Sequence, residues 1–251
     1  MKYYIKIIFF FICFLLVGFN EFKANEFDEF DQFKDLNKNE ITVYDPFESF
    51  NRWSLGINDK VYVHLLGPVL DLYSNITSES MRQGLSNFFN NLKYPISLVN
   101  NGLQFKFKNM KTETYRFCIN STLGLFGFFD VAKESMGINS KFEDFGQTLG
   151  YWGIPPGPFL VLPILGPTTP RQLVGSISGI QLDMLSSPIE QVNIVNLIEL
   201  DNSWKYLKGL DTLNVGASAY ENYKQIKAVS LDLYTVIKIG YMEIKTKQIK
   251  E

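Results

Sequence analysis

From Phe145 to Pro170 the chain runs 26 residues without a charged side chain, and six of its ten prolines (155, 156, 158, 163, 167, 170) fall inside that run. A stretch this long and apolar is the length of a membrane-spanning helix. Prolines at this density remove amide donors and clash with the preceding turn, so a continuous spanning helix is excluded. Its apolar residues must still leave water, either by packing on helices or by meeting lipid at an interface, where Tyr and Trp are favoured. Irregular backbone can lie at such a depth only where protein or a wet cavity satisfies its polar groups. Tyr151, Trp152 and Phe159 are the membrane-contact candidates in this segment.

The rest of the body reads as helix. Asp45-Pro46-Phe47-Glu48 is a strong start: Asp can cap, Pro suits the first helical position, and Glu falls where a capping box places it. That helix should pass Asn51-Arg52-Trp53 toward Tyr73 and bend near Gly67-Pro68. Thr77-Ser78 opens a second, whose Leu85, Phe88, Phe89, Leu92, Ile96, Val99 and Leu103 make a helical stripe around Pro95. Tyr115, Ile119, Leu123 and Phe126 keep the spacing in a third, and 188–208 and 218–246 read the same way. Clean alternation is almost absent. The fold class is therefore mostly α, amphipathic helices with one irregular Gly/Pro-rich segment.

At the N-terminus, Lys2 and Lys6 precede an apolar run of 13, Ile7 to Phe19, the pattern of a secretory signal. A polar, acidic stretch follows. The expected organisation is a signal peptide at 1–24, a polar tether at 25–44 and a helical domain at 45–246.

Composition narrows the function. A formal charge of −2 offers no basic field to nucleic acid. One histidine, His64, argues against His-built metal sites and catalytic triads. Two cysteines give no disulfide framework, and Cys118 reads as a buried small hydrophobe. Phosphate-loop, dinucleotide, zinc-protease and nucleophile-elbow motifs are all missing. Asp130, Glu143, Asp144 and Asp183 are carboxylates without a marked pairing. The chain is read as a non-enzyme with no cofactor and no metal. Arginine is scarce, four against 20 lysines; Arg52, Arg82 and Arg116 each have a carboxylate one turn upstream, whereas Arg171 follows the uncharged run directly. A guanidinium at the rim of an apolar surface suits a phosphate.

Several blocks in fixed order then carry a family resemblance. Asp45-Pro46-Phe47-Glu48-Ser49-Phe50-Asn51-Arg52 resembles the DPxExxNR opening of the MlaA (VacJ) family, the outer-membrane component of a phospholipid-transport system. Arg82-Gln83-Gly84 with Asn87-Phe88, Asn91-Leu92 and Pro95 matches the next block. Arg116-Phe117, Asn120-Ser121-Thr122, Gly124, Gly127 and Asp130-Val131-Ala132 match the one after. Phe145 to Gly150, Gly153, Gly157-Pro158, Leu162-Pro163, Gly166-Pro167 and Arg171 match the Gly/Pro-rich block. The chain departs at Phe19, where family lipoproteins carry cysteine, at Phe105, where glycine is usual after Leu-Gln, at Gln172 for an acidic residue, and at Leu233 for proline.

The resemblance implies a helical ring in the periplasmic leaflet of the outer membrane, around an amphipathic channel. Phospholipids strayed into the outer leaflet would pass through it to a periplasmic carrier, with a trimeric porin alongside. Arg52, Arg171, Asn51 and Arg116 become lipid-path candidates, and Gly124 and Gly127 the hinge of a hairpin near the channel mouth. A signal-anchored inner-membrane lipid-binding or scaffold protein is the alternative, and the missing nucleophile motif disfavours a lipid hydrolase.

Overall fold

The computed structural model describes residues 45–180 and 203–250. The signal, the tether, Asp183 and most of the helix expected over 188–208 lie outside the described residues. The described chain is mostly helical. In order it runs α1 (Glu48–Lys60), one stretch of π-helix (Val61–Leu66), α2 (Gly67–Ile76), α3 (Glu79–Leu92), α4 (Tyr94–Leu103), α5 (Phe107–Thr122), the short α6 (Val131–Glu134) and α7 (Phe145–Tyr151). Strands β1 (Leu160–Leu162) and β2 (Gly166–Thr168) follow, then α8 (Pro170–Ile180), α9 (Ser203–Val229) and α10 (Leu233–Lys250).

Local chemistry explains most boundaries. Ser78 caps α3, its side chain accepting from the Met81 amide, while Pro95 sits in the first turn of α4 and divides the Leu85–Leu103 stripe into two helices. The bend expected at Gly67-Pro68 takes the form of the π-helical Val61–Leu66 just before it. Proline at 68 lacks an amide proton and crowds the carbonyl one turn back, and widening the turn relieves both. Asp45 does not cap as expected: Phe47 is the N-cap and no side chain caps α1. The residue instead reaches across to α10, where its carboxylate meets the Tyr234 hydroxyl and lies 3.4 Å from Lys238 Nζ.

The described body forms two compact units interleaved in sequence. One takes in 45–76, 156–170 and 212–250; the other takes in 77–155, 171–180 and 203–211. The uncharged run is thus shared between them. Its first part forms α7, capped by Asp144, and its second forms an antiparallel hairpin pairing Leu160 with Thr168 and Leu162 with Gly166. Short strands in this run were not legible as alternation, because each is only three residues long.

The first unit's core gathers Leu55, Leu66 and Leu70 with Phe159 and Val161 of the hairpin region and an aromatic set from α9 and α10: Tyr220, Tyr223, Tyr234 and Tyr241. Phe159 is 0% exposed and packs edgewise on Tyr234 and at a tilt on Tyr241. It is a core residue, not the lipid contact expected of it. The second unit has a smaller apolar core around Leu85 and Phe89.

Candidate functional site

Two irregular segments dominate the chemistry, and each is held by a polar face of a helix. In the first unit, Asn51 and Asn58 lie seven residues apart on α1, hence on one face. Both are buried. Asn51 Nδ2 donates to the Phe159 carbonyl at 3.0 Å and its Oδ1 accepts from the Val161 amide at 2.8 Å. Asn58 repeats the pattern on Leu162 O at 2.9 Å and Ile164 N at 2.6 Å. A side-chain amide carries one donor and one acceptor edge, as a neighbouring strand would, so two asparagines stand in for the missing strand beside β1. Tyr62 adds a bond to the Ile164 carbonyl, and this over-determination holds Ile164 at φ 71, unusual for a β-branched residue.

In the second unit, the loop 127–144 runs back along α4 and α5. Glu113, Arg116 and Asn120 form one polar face of α5, and Ser97, Asn101 and Gln104 one face of α4. Arg116 Nη2 pairs with Asp130 at 2.8 Å and its other nitrogen meets the Ile138 carbonyl. Asn120 donates to Asp130 and accepts from the Ala132 amide, and Ser140 donates to Glu113. Asn101 donates to the Lys141 carbonyl at 3.0 Å. Glu143 closes the row, accepting from Lys106 Nζ at 2.7 Å and Gln104 Nε2 at 3.0 Å. Burial works against charge on Asp130, but hydrogen bonds from Arg116 and Asn120 outweigh it and hold the carboxyl below its ordinary range. At Glu143 burial prevails over Lys106 and Gln104 and pushes the carboxyl up.

These contacts relocate the lipid-path candidates. Asn51 is fully buried with its amide occupied by the hairpin, and Arg116 is largely buried in the loop's ion pairs. Arg52 is half exposed, paired with Glu48 and bidentately with Asp232, and stacked over the Tyr234 ring at 4.4 Å. Its bonds hold Asp232 far below the carboxylate range. Arg171 donates to the Ile154 carbonyl at 2.8 Å. The remaining carboxylates serve locally: Asp144 caps α7. Among the described residues, no group of three His, Cys, Asp or Glu could hold a metal ion. Cys118 is exposed on α5, contrary to the expectation of burial.

Gly124 and Gly127 do build a turn, after α5. A Cβ on Gly124 would lie 2.2 Å from the Phe129 carbonyl, and one on Gly127 2.6 Å from Asn91, so close approach makes both glycines necessary. Leu125 and Phe126 adopt left-handed backbone at φ 50 and 60, a conformation costing about 1–2 kcal/mol per residue. The turn aims Phe126, 76% exposed, and its neighbours Leu123, Leu125 and Phe129 outward.

Large apolar side chains are exposed on both units, among them Phe50, Trp53, Leu72 and Ile76 on one and Phe105, Phe107, Tyr115, Tyr151 and Trp152 on the other. Sequence reasoning named Tyr151 and Trp152 and missed Phe105 and Phe107, although the glycine expected at 105 was a signal. Phe105 takes left-handed backbone, φ 57, the conformation glycine adopts without strain. No described helix is long and apolar enough to cross a membrane.

Comparison with known proteins agrees with this architecture. The family model described as MlaA lipoprotein matches residues 43–248. The intermembrane phospholipid transport system lipoprotein MlaA of Haemophilus influenzae is 35% identical over 136 residues, 53% of this chain and 54% of that protein. Its Escherichia coli namesake is 35% identical over 137 residues, 53% and 55% of the two chains. An uncharacterized protein of Rickettsia prowazekii is 39% identical over 137 residues, 55% and 54%. The chain thus spans about half the length of the curated relatives it matches. A solved structure described as the structural basis for maintenance of bacterial outer membrane lipid asymmetry superposes with a TM-score of 0.64 at 25% identity, covering 82% of this chain and all of that one. With a family match over both compact units and a shared fold, the chain belongs to the MlaA lipoprotein family.

Proposed function

We propose that this protein transports phospholipid at the outer membrane, removing strayed lipids from the outer leaflet through an amphipathic path and so maintaining lipid asymmetry. One observation carries the reading beside family membership: large apolar side chains stand exposed on both units, while the irregular backbone between helices is satisfied internally by Asn51, Asn58 and the loop-binding faces of α4 and α5. That combination suits a body bathed by lipid on its outside, because only protein can satisfy backbone groups there. In this reading the protein is exported, sits in the periplasmic leaflet, passes lipid to a periplasmic carrier and lies beside a trimeric porin. Lipid movement of this kind requires no bond chemistry. Arg52 and Arg171 are the headgroup contacts, and the Gly124–Gly127 turn stands at the mouth of the path.

The test is the amount of phospholipid exposed in the outer leaflet of cells lacking the protein and again with it restored. A rise on deletion that reverses on restoration is expected. No change would overturn the reading and favour an inner-membrane scaffold. Labelled phospholipid incubated with the purified chain should be recovered uncleaved.

A further inference from the structure

Four exposed rings from two segments far apart in sequence meet in the second unit. Phe105 contacts Phe107 (centroids 6.3 Å apart) and Trp152 (5.9 Å), and Trp152 contacts Tyr151 (5.8 Å), all at steep interplanar angles. Each is 44–61% exposed. Apolar rings that touch one another and still face outward form a patch, which needs a partner to cover it.

The patch is built, not loose. Trp152 Nε1 donates to the Leu103 carbonyl at 3.2 Å, fixing the indole against the end of α4. Gln104 is buried and bonded to Glu143 and Thr148, and Lys106 is tied to Glu143 and lies 5.8 Å from the centre of the Tyr151 ring. Residues on both sides of Phe105 are therefore pinned, and the backbone at Phe105 is held left-handed, which a side-chain-bearing residue adopts only at a cost. The result of that strain is a ring aimed away from the fold.

Charge identifies the occupant. Lys108 and Lys111, both exposed, follow the aromatic pair on the first turns of α5, while the nearby carboxylates Glu113 and Glu143 are buried and already bonded. Tryptophan, tyrosine and lysine side by side, with apolar rings and cationic tips, match the interfacial zone of a bilayer, where rings sit at headgroup level and ammonium groups meet phosphate. We propose that Phe105, Phe107, Tyr151 and Trp152, with Lys108 and Lys111, form a preorganised attachment site for an anionic lipid surface. This site rests on the reading of the protein as membrane-associated, and it assigns to one corner the depth and charge preference of the contact.

The full chain with Trp53→Phe and Trp204→Phe leaves Trp152 as its only tryptophan. Added to vesicles of phosphatidylglycerol and phosphatidylethanolamine, its emission should shift to the blue. Quenching by lipids brominated near the headgroup should exceed quenching by lipids brominated deep in the chains. Phe105→Ser/Phe107→Ser in that background should weaken vesicle binding at least tenfold with unchanged circular dichroism, and Lys108→Gln/Lys111→Gln should weaken it several-fold for anionic vesicles alone. Unshifted Trp152 emission on vesicles that bind the chain would overturn the proposal, as would full binding by the double serine variant. Loss of outer-leaflet control in cells is a separate readout: the transport reading fails if deletion is silent there, whatever Trp152 reports.

Discussion

The hairpin of the first unit and the 127–144 loop of the second pose the same problem, irregular backbone laid against helices, and solve it with opposite chemistry. The hairpin is held by two neutral asparagines over a buried aromatic core. The loop is held by charges, Arg116 on Asp130 and Lys106 on Glu143, with amides between. A neutral amide carries no titrating proton and no net charge, so its bonds do not respond to pH in this range. Buried ion pairs respond to pH, and removing one partner leaves a charge stranded. The chain thus pairs an invariant support with a titratable one.

The largest effect should come from Asn51→Ala. It orphans the buried Val161 amide and Phe159 carbonyl, at about 2 kcal/mol each, so a loss near 4 kcal/mol is expected in denaturant unfolding. Arg116→Met takes from Asp130 its cationic partner, leaving it only the Asn120 and Lys133 donors, and takes the side-chain donor from the Ile138 carbonyl; it should cost about 3 kcal/mol, with the loss shrinking in acid as Asp130 takes up a proton. If the two variants lost stability with the same pH dependence, the contrast between supports would be broken.

Glu143→Gln sharpens it. The raised Glu143 carboxyl favours the folded state fully below the ordinary glutamate range, a contribution that fades as pH rises through the folded value. Its removal should change stability by no more than about 1 kcal/mol at neutral pH and should flatten the stability profile above the ordinary glutamate value. Asp130 works in the other sense: its lowered carboxyl stabilises the fold above the ordinary aspartate value and stops doing so in stronger acid. Smallest of all is Arg52→Gln. Its pairs are half exposed, so unfolding should shift by about 0.5 kcal/mol, and any large loss of outer-leaflet control in that variant reports lipid contact.

Sequence reasoning reached the helical class and the Ser78 start because those signals are local, a repeating apolar stripe and a capping side chain; it carried that stripe through Pro95 as one helix, where the structure has two. It could not see that Asn51 binds the hairpin, since Phe159 lies 108 residues away and an asparagine on a helix looks the same whether it faces lipid, water or another backbone. Phe159 illustrates the same gap. Its run was marked as leaving water, yet Phe159 is buried in protein while Tyr151, Trp152 and Ile154 stand exposed, a division that composition does not show. Phe105 was legible only as a glycine replaced, and its meaning depends on Trp152, brought near by the fold.

The most direct measurement is site-resolved amide hydrogen exchange, corrected for intrinsic rates, from pH 6 down to pH 3. Val161 and Ile164 amides, bonded to Asn51 and Asn58, should keep constant protection. Ala132 and Lys133 amides, bonded to Asn120 and Asp130, should lose protection once pH falls below the ordinary aspartate range. Parallel loss at both sites, or none at either, would contradict the account.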